Sequence, residues 1–393
     1  MQRTGPGLVG PTLIRTFHVT PVVLSAMTVV QYLAYAVLQI PVGYWGQRYG
    51  PERFIVLGTI LDGVGTLVFG GAPSFAWIVV ARFLVGIGDG FIWLNLVMVL
   101  ARRVPPAAYG RALGLVQMGG TVGALMASIP LAGWIEAAGW RLPFVVMGAV
   151  LVTFGVLARR WLGVPGGIRP SGAPAGPAIG RHVRIVLGYG ARTYAPMATG
   201  FGFMGTFMGF SSLMLVPYLE GAYGLSRVGA SALEAAGLVG MFFAAPLVGA
   251  LSDRVGRKGP LVALGLVNVL VWAVMAARPT GLPGPAMVVL FAAMGCSAGG
   301  ILVLMFAALR EVQAPEDIGV ASGLANAANF MAAGIVPLAM GAALTHWAAL
   351  PPSPRFGLML LAPLATALVG LLGALRMPVE APRPAPAENR YGM

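Results

Sequence analysis

Arg82 and Asp89 stand seven residues apart in RFLVGIGDG, a segment with apolar sequence on either side. Seven residues make two turns of an α-helix, so the two side chains share one helix face. A carboxyl group in a low-dielectric cavity resists ionisation, and a neighbouring guanidinium restores it. Such a pair can take up and release a proton as its cavity is alternately wetted and sealed. That is the chemistry a proton-coupled carrier needs. Two more acids fall within apolar stretches, Asp62 well inside one and Glu234 nearer an end. Ionisable groups inside a membrane are costly and mark function by default. For Asp62 the plainer reading is a polar contact that holds two helices together.

Neutral polar groups accompany these charges. Gln31, Tyr32, Tyr35 and Gln39 form a partly polar stripe, and Asn326 and Asn329 lie three residues apart further on. Both sets could line a cavity, the asparagines with hydrogen bonds for a hydroxylated solute. Phe203, Phe207 and Phe210 make an aromatic stripe at helical spacing. For all of these, packing between helices is the more ordinary role.

The elements that must hold these residues follow from composition. The 393-residue chain is 58% hydrophobic and only 9% charged, with a mean hydropathy of +0.84. A soluble domain carries about 25% charged residues, so this chain has too few to cover a water-facing surface. Apolar runs long enough to cross a bilayer recur along it. The fold class is therefore an all-α polytopic membrane protein. Spans are predicted near 21–45, 54–72, 75–101, 110–134 and 142–161, then 194–219, 229–251, 260–277, 284–309, 319–346 and 356–376. Between the two sets runs WLGVPGGIRPSGAPAGPAIGRHVR, a Pro- and Gly-rich linker with no segment able to span. The expected organisation is a first bundle over 1–161, a cytoplasmic linker over 162–193, a second bundle of six helices over 194–376 and a disordered cytoplasmic tail over 377–393. Five spans stand before the linker and six after it. The plain inference is a six-plus-six protein whose first helix is incomplete, with a start codon expected ~10–20 residues upstream.

The net charge of +13 does not indicate nucleic acid, because the basic residues sit in short gaps between apolar runs. With the loop holding Arg48 and Arg53 placed in the cytoplasm, eighteen Lys and Arg fall on that side and five on the other. The positive-inside rule accounts for such a bias. The single cysteine, Cys296, allows no disulfide framework, and His18, His182 and His346 lie far apart in sequence. No nucleotide loop, metal cluster or nucleophile paired with a base occurs, so neither an enzyme nor a cofactor is predicted.

One short charged pattern occurs twice. GYWGQRYGPER begins at Gly43 and GALSDRVGRKG at Gly249, 206 residues later. Each reads Gly, three residues, a polar residue, Arg, one residue and Gly. Each falls between the second and third helices of its half, counting the incomplete first helix. The chain in this respect resembles the major facilitator superfamily of transporters, whose hallmark in that loop is G-x-x-x-D-R-x-G-R-[RK]. The second copy matches through Gly249, Asp253, Arg254, Gly256, Arg257 and Lys258. The first keeps Gly43, Arg48 and Gly50 but has Gln47 at the acidic position and Glu52 after the second glycine. RFLVGIGDG also resembles the family's fourth-helix pattern, R-x-x-x-G-x-G-x-G. The fifth-helix antiporter pattern G-P-x-x-G-G is replaced by GGTVGALMASIP, which weighs against drug efflux.

The resemblance implies two pseudo-symmetric six-helix bundles that rock about a central site. The two charged turns would then form a conformational gate that pairs in one state and breaks in the other. The alternative for their arginines is a charge cluster that only fixes topology. The chain is closest in feel to the anion:cation symporter branch, where an acid at the place of Asp89 recurs and a first-helix arginine meets the substrate carboxylate. Arg3 stands where that arginine would, and its planar fork suits a carboxylate. The function expected is a proton-coupled symporter of a small organic anion, working as a monomer in a bacterial inner membrane. Proton coupling is expected at Asp89, Arg82 and Asp62, with substrate contacts at Arg3, Tyr32, Tyr35, Gln39, Asn326 and Asn329. The alternatives are an efflux carrier for drugs or metabolites, and a transporter-like sensor or assembly partner that moves no solute.

Overall fold

The computed structural model describes residues 9–19, 21–126, 129–164 and 178–378. Helices α1 (Gly10–Phe17), α2 (Pro21–Tyr49), α3 (Pro51–Gly71), α4 (Phe75–Arg103), α5 (Tyr109–Met126), α6 (Ile129–Ala138) and α7 (Arg141–Trp161) belong to the first bundle. A short helix, α8 (Ile179–Leu187), leads to the second. That bundle contains α9 (Ala191–Phe203), α10 (Gly209–Leu213), α11 (Leu215–Tyr223), α12 (Arg227–Val255), α13 (Lys258–Ala277), α14 (Gly284–Val312), α15 (Ile318–His346) and α16 (Pro352–Arg376). Among the described residues eight helices are long and apolar enough to cross a membrane. A ninth span is counted if α9 to α11, bent by 61°, is one crossing. Helix α2 and the pair α5–α6 occupy the places of the remaining two expected spans.

Small residues set the packing inside each bundle. In the first, α3 lies against α4 and α7, and α2 lies against α4. A Cβ at Gly63 would stand 2.9 Å from the carbonyl oxygen of Gly148 on α7, and one at Gly58 would stand 2.7 Å from that of Gly88 on α4. Membrane helices lack a strong hydrophobic drive to associate, so this close approach of backbones does much of the holding. In the second bundle α12 packs on α14, and α16 packs on α9 and α13. Its core gathers Phe203, Phe207 and Phe210 with Tyr218, Trp272 and Phe291. The phenylalanine stripe is therefore packing: Phe210 meets Trp272 edge-on at 5.1 Å between ring centroids.

The bundles meet along two seams, α2 with α15 and α5 with α12. At the arginine-rich end these seams are tight. A Cβ at Gly43 would fall 2.0 Å from the carbonyl oxygen of Gly319, and one at Gly249 would fall 2.2 Å from that of Gly110. Toward the other end, Gly119, Gly120 and Gly123 on α5 have nothing within 4 Å of an added Cβ. Among the described residues, the hydrogen bonds between bundles lie at the arginine-rich end or at Tyr35 and Gln39. The two bundles are thus held closely together at the basic end.

Candidate functional site

The polar array predicted on α4 is present, and α2 completes it. Arg82 and Asp89 lie on the face of α4 that meets α2, and Gln31 reaches both. The guanidinium Nη2 of Arg82 donates to Gln31 Oε1, and Gln31 Nε2 donates to Asp89 Oδ2 at 3.2 Å. Arg82 and Gln31 are 2% and 1% exposed. The glycine between them in sequence explains the fit. A Cβ at Gly86 would stand 2.4 Å from the backbone oxygen of Gln31 and 3.0 Å from its Cα. Only a glycine lets α2 settle between the two charged side chains. Asp62 is buried on α3 against another face of α4, its Oδ1 lying 2.4 Å from a Cβ built on Gly88.

A second polar cluster joins the bundles further along α2. Asn326 on α15 donates through Nδ2 to Gln39 Oε1 at 2.6 Å and to the Tyr35 hydroxyl at 3.1 Å. The Gln39 amide in turn donates to the Tyr35 carbonyl at 2.9 Å. Asn329, fully buried, has its amide against Gly200 of α9. The ring of Tyr35 stacks tilted on Phe330 with centroids 4.1 Å apart. Four of the residues expected to touch substrate (Tyr35, Gln39, Asn326 and Asn329) are thus brought together, at the contact of α2 with α15. Arg3 lies outside the described residues, as does the side chain of Tyr32.

The basic end is closed by the repeated turns, each in its own way. In the second copy Asp253 lies on α12 and receives the backbone N–H groups of Gly110 at 3.0 Å and Arg111 at 2.9 Å. These are orphan donors at the start of α5, where a carboxylate is favoured by both hydrogen bonding and the helix dipole. Arg257 Nη1 donates to Asp253 at 2.5 Å and to the Ser252 hydroxyl at 2.7 Å. Its Nε donates to Glu311 at 2.8 Å and its Nη2 to the Pro106 carbonyl at 3.2 Å. Gly256 makes the turn with φ of +86°, as Gly50 does with +92° in the first copy. There Gln47 donates to the Pro315 carbonyl of the second bundle at 2.6 Å, and Arg48 donates to the Tyr44 hydroxyl at 2.9 Å. Arg254 is exposed and Lys258 half-buried; the side-chain bonds of the cluster are made by Asp253 and Arg257.

Three contributors were not legible in the motifs. Arg310 on α14 donates to the Val104 carbonyl at 3.0 Å and lies over the ring of Tyr109, 4.3 Å from its centroid. Glu311, its neighbour, holds Arg257. The third is α8, inside the segment predicted as a plain linker. It buries Val186 and His182, and His182 Nε2 lies 2.6 Å from Asp317 Oδ1. The Tyr189 hydroxyl donates to Asp317 Oδ2 at 2.8 Å, a bond that holds the phenol above its ordinary pKa. The signal for α8 was the amphipathic run IGRHVRIVL, too short to have weighed against the Pro and Gly beside it.

Comparison with known proteins agrees with this architecture. A family model described as Major Facilitator Superfamily matches residues 1–213 and again 197–390. A probable sulfoacetate transporter of Cupriavidus necator, SauU, is 32% identical over 116 residues, covering 30% of this chain and 27% of that protein. The inner membrane metabolite transport protein YhjE of Escherichia coli is 26% identical over 337 residues, covering 75% of this chain and 72% of that one. Among solved structures the Escherichia coli fucose:proton symporter FucP superposes with a TM-score of 0.74 at 15% identity, over 96% of both chains.

Proposed function

This chain belongs to the major facilitator superfamily, and from that premise we propose that it carries a small organic anion together with protons, by alternating access around the cleft between its bundles. Transport of a solute across a membrane is the family's shared activity; the solute class and the proton are our reading. One observation carries it. Asp89, midway along a membrane-spanning helix and half-buried, shares a hydrogen-bonded array with the buried Arg82. A carboxyl group so placed can change protonation as the cleft is wetted from one side and then the other.

The positive-inside rule assigns the basic end to the cytoplasm. The closed turns then shut the cytoplasmic side. Residues 1–161 and 194–376 act as the two rocking halves, joined by 162–193. Tyr35, Gln39, Asn326 and Asn329 form the floor on which a solute would rest, and Arg3 supplies the anion clamp. The sulfoacetate named for one relative is an anion of the class proposed.

Proteoliposomes with a pH dye inside test the reading. Sulfoacetate, dicarboxylates, sugar acids and aromatic acids are added outside in turn. The expected result is internal acidification with one class of acid, abolished by Asp89→Asn. Acid uptake without acidification, unaltered by Asp89→Asn, would remove the proton from the proposal. Silence across the panel from folded protein would remove the organic anion.

A further inference from the structure

Resting on the reading of Asp89 as the proton carrier, we infer that Gln31 is a positioning residue that sets the pH at which Asp89 exchanges its proton. Its amide links the Asp89 carboxyl to the Arg82 guanidinium, and its helix links both to the second bundle.

The amide is oriented by its two neighbours. A carboxamide has one accepting and one donating end, and here the oxygen faces the cation while the N–H faces the acid. A glutamate at this position would offer Asp89 no donor, a lysine would offer Arg82 no acceptor, and a leucine would offer neither. Gly86 makes the arrangement a built one. The α2 backbone at Gln31 lies where any side chain at 86 would stand. Arg82, Gly86 and Asp89 thus form a cation, a notch and an acid along one face; the α2 backbone at Gln31 fills the notch, and the amide reaches to both sides of it. Buried amides are almost always satisfied, and this one spends its bonds on the two groups that the proton chemistry uses.

The reach of Gln31 extends beyond the array. Gln31, Tyr35 and Gln39 follow at four-residue steps on α2, so they share a ridge. The last two hold Asn326 of α15. Further along, Gly43 of the same helix meets Gly319 of α15. One helix therefore contacts the proton array near one point and the opposing bundle at three others. Any movement of α15 against α2 is felt at the donor that Asp89 receives. Of the ionisable groups nearby, Arg82 joins Asp89 through Gln31, Tyr35 lies one turn along α2 from Gln31, and Asp62 of α3 packs against Gly88, on another face of α4 from Asp89.

The test needs no substrate. Spin labels at Ala107→Cys and Glu316→Cys, both exposed at the basic end of opposite bundles, report its closure in a Cys296→Ser background. The separation is followed across pH in the full-length protein. The wild-type distribution is expected to shift with pH and Asp89→Asn to be indifferent to it. Gln31→Leu and Gln31→Glu are both expected to move the midpoint to more alkaline pH, by about one unit. Each deprives the charged form of Asp89 of a donor, and the second adds a like charge. Gln31→Glu retains an acceptor for Arg82, so it keeps the buried guanidinium paired if Gln31→Leu fails to fold. An unchanged midpoint in the folded variants, with Asp89→Asn still indifferent to pH, would reduce Gln31 to packing and overturn the inference alone. A pH response that survives Asp89→Asn would instead overturn the reading beneath it, and the inference with it.

Discussion

The two copies of the repeated turn do one job with opposite chemistry. Asp253 is an acceptor that gathers two backbone N–H groups and a guanidinium, with its side chain and that of Arg257 each 6% exposed. Gln47, at the matching place, is a donor that reaches one carbonyl, that of Pro315, in an exposed setting. The difference lies in what each copy faces. Asp253 faces the start of α5, which offers unpaired donors. Gln47 faces the connection into α15, where the carboxylates of Glu316 and Asp317 already stand. A third acid there would meet a carbonyl and two like charges, so an amide is the group that can bond. What the repeat preserves is a cross-bundle contact at a given height; the sign of the contact is set by the partner.

The largest consequence of this asymmetry should appear at Asp253. Its removal leaves Arg257 buried with Glu311 as its remaining charged partner and leaves two N–H groups of α5 without an acceptor. Each bond from those N–H groups to the carboxylate crosses the seam and is worth about 1.5–3 kcal/mol. Asp253→Ala should lower the closed fraction at the basic end by roughly 100-fold or more, read from label separations there. Gln47→Ala removes one exposed neutral bond, worth about 0.5–1.5 kcal/mol, and should lower it only several-fold. Equal effects would break the comparison.

The glycines should behave alike, because their role does not depend on charge. At both Gly43 and Gly249 an added Cβ would fall about 2 Å from a backbone carbonyl oxygen of the opposing bundle. The oxygen cannot rotate away, so the helices must separate. Overpacking of this kind costs about 1–3 kcal/mol. Gly43→Ala and Gly249→Ala should each open the basic end to a similar degree, by roughly ten-fold. A tolerant first copy and an intolerant second would mean that the first seam is looser than its geometry.

Much of this was legible in the chain itself. Apolar runs located the helices because each had to fill the bilayer with its own hydrogen bonds. The repeat located the closing end because glycines and charges recurred at one spacing. The seven-residue step from Arg82 to Asp89 placed both on one face, since a single helix fixes that relation. What escaped was any contact that needed two helices to be set side by side. Gln31 was one member of a polar stripe, with nothing in its own segment to tie it to Arg82. Arg310 and Glu311 read as one more charged helix end, although one closes on Val104 and Tyr109 and the other on Arg257. His182 and Asp317 are 135 residues apart and join only through the fold. Periodicity describes one helix at a time, and these sites are properties of pairs.

Restoring the family acid in the first copy would sharpen the comparison further. If position 47 merely lacked a charge, Gln47→Asp would strengthen closure. The surroundings argue the reverse, because the side chain is shorter, loses its donor to Pro315 and gains repulsion from Glu316 and Asp317. Closure should weaken by about 1–2 kcal/mol, somewhat more than one lost neutral hydrogen bond. Tighter closure would show that the second bundle can rearrange to supply a donor, and that the partner does not set the sign.

The smallest effect belongs to Glu52, the acid that the first copy does possess. It pairs with Arg103 at 3.0 Å, within the first bundle and with the arginine side chain 52% exposed. Exposed pairs contribute about 0–1 kcal/mol and are screened by salt. Both partners move together when the bundles rock, so whatever the pair contributes is common to the open and closed states. Glu52→Gln should therefore leave the closed fraction within about two-fold of wild type, at low salt as at high. Arg257 is held differently, by a glutamate of its own bundle and also by Asp253, which is anchored across the seam. A salt-sensitive change in Glu52→Gln would mean that its charge acts across the gap between bundles, and the first copy would then be an ionic latch after all.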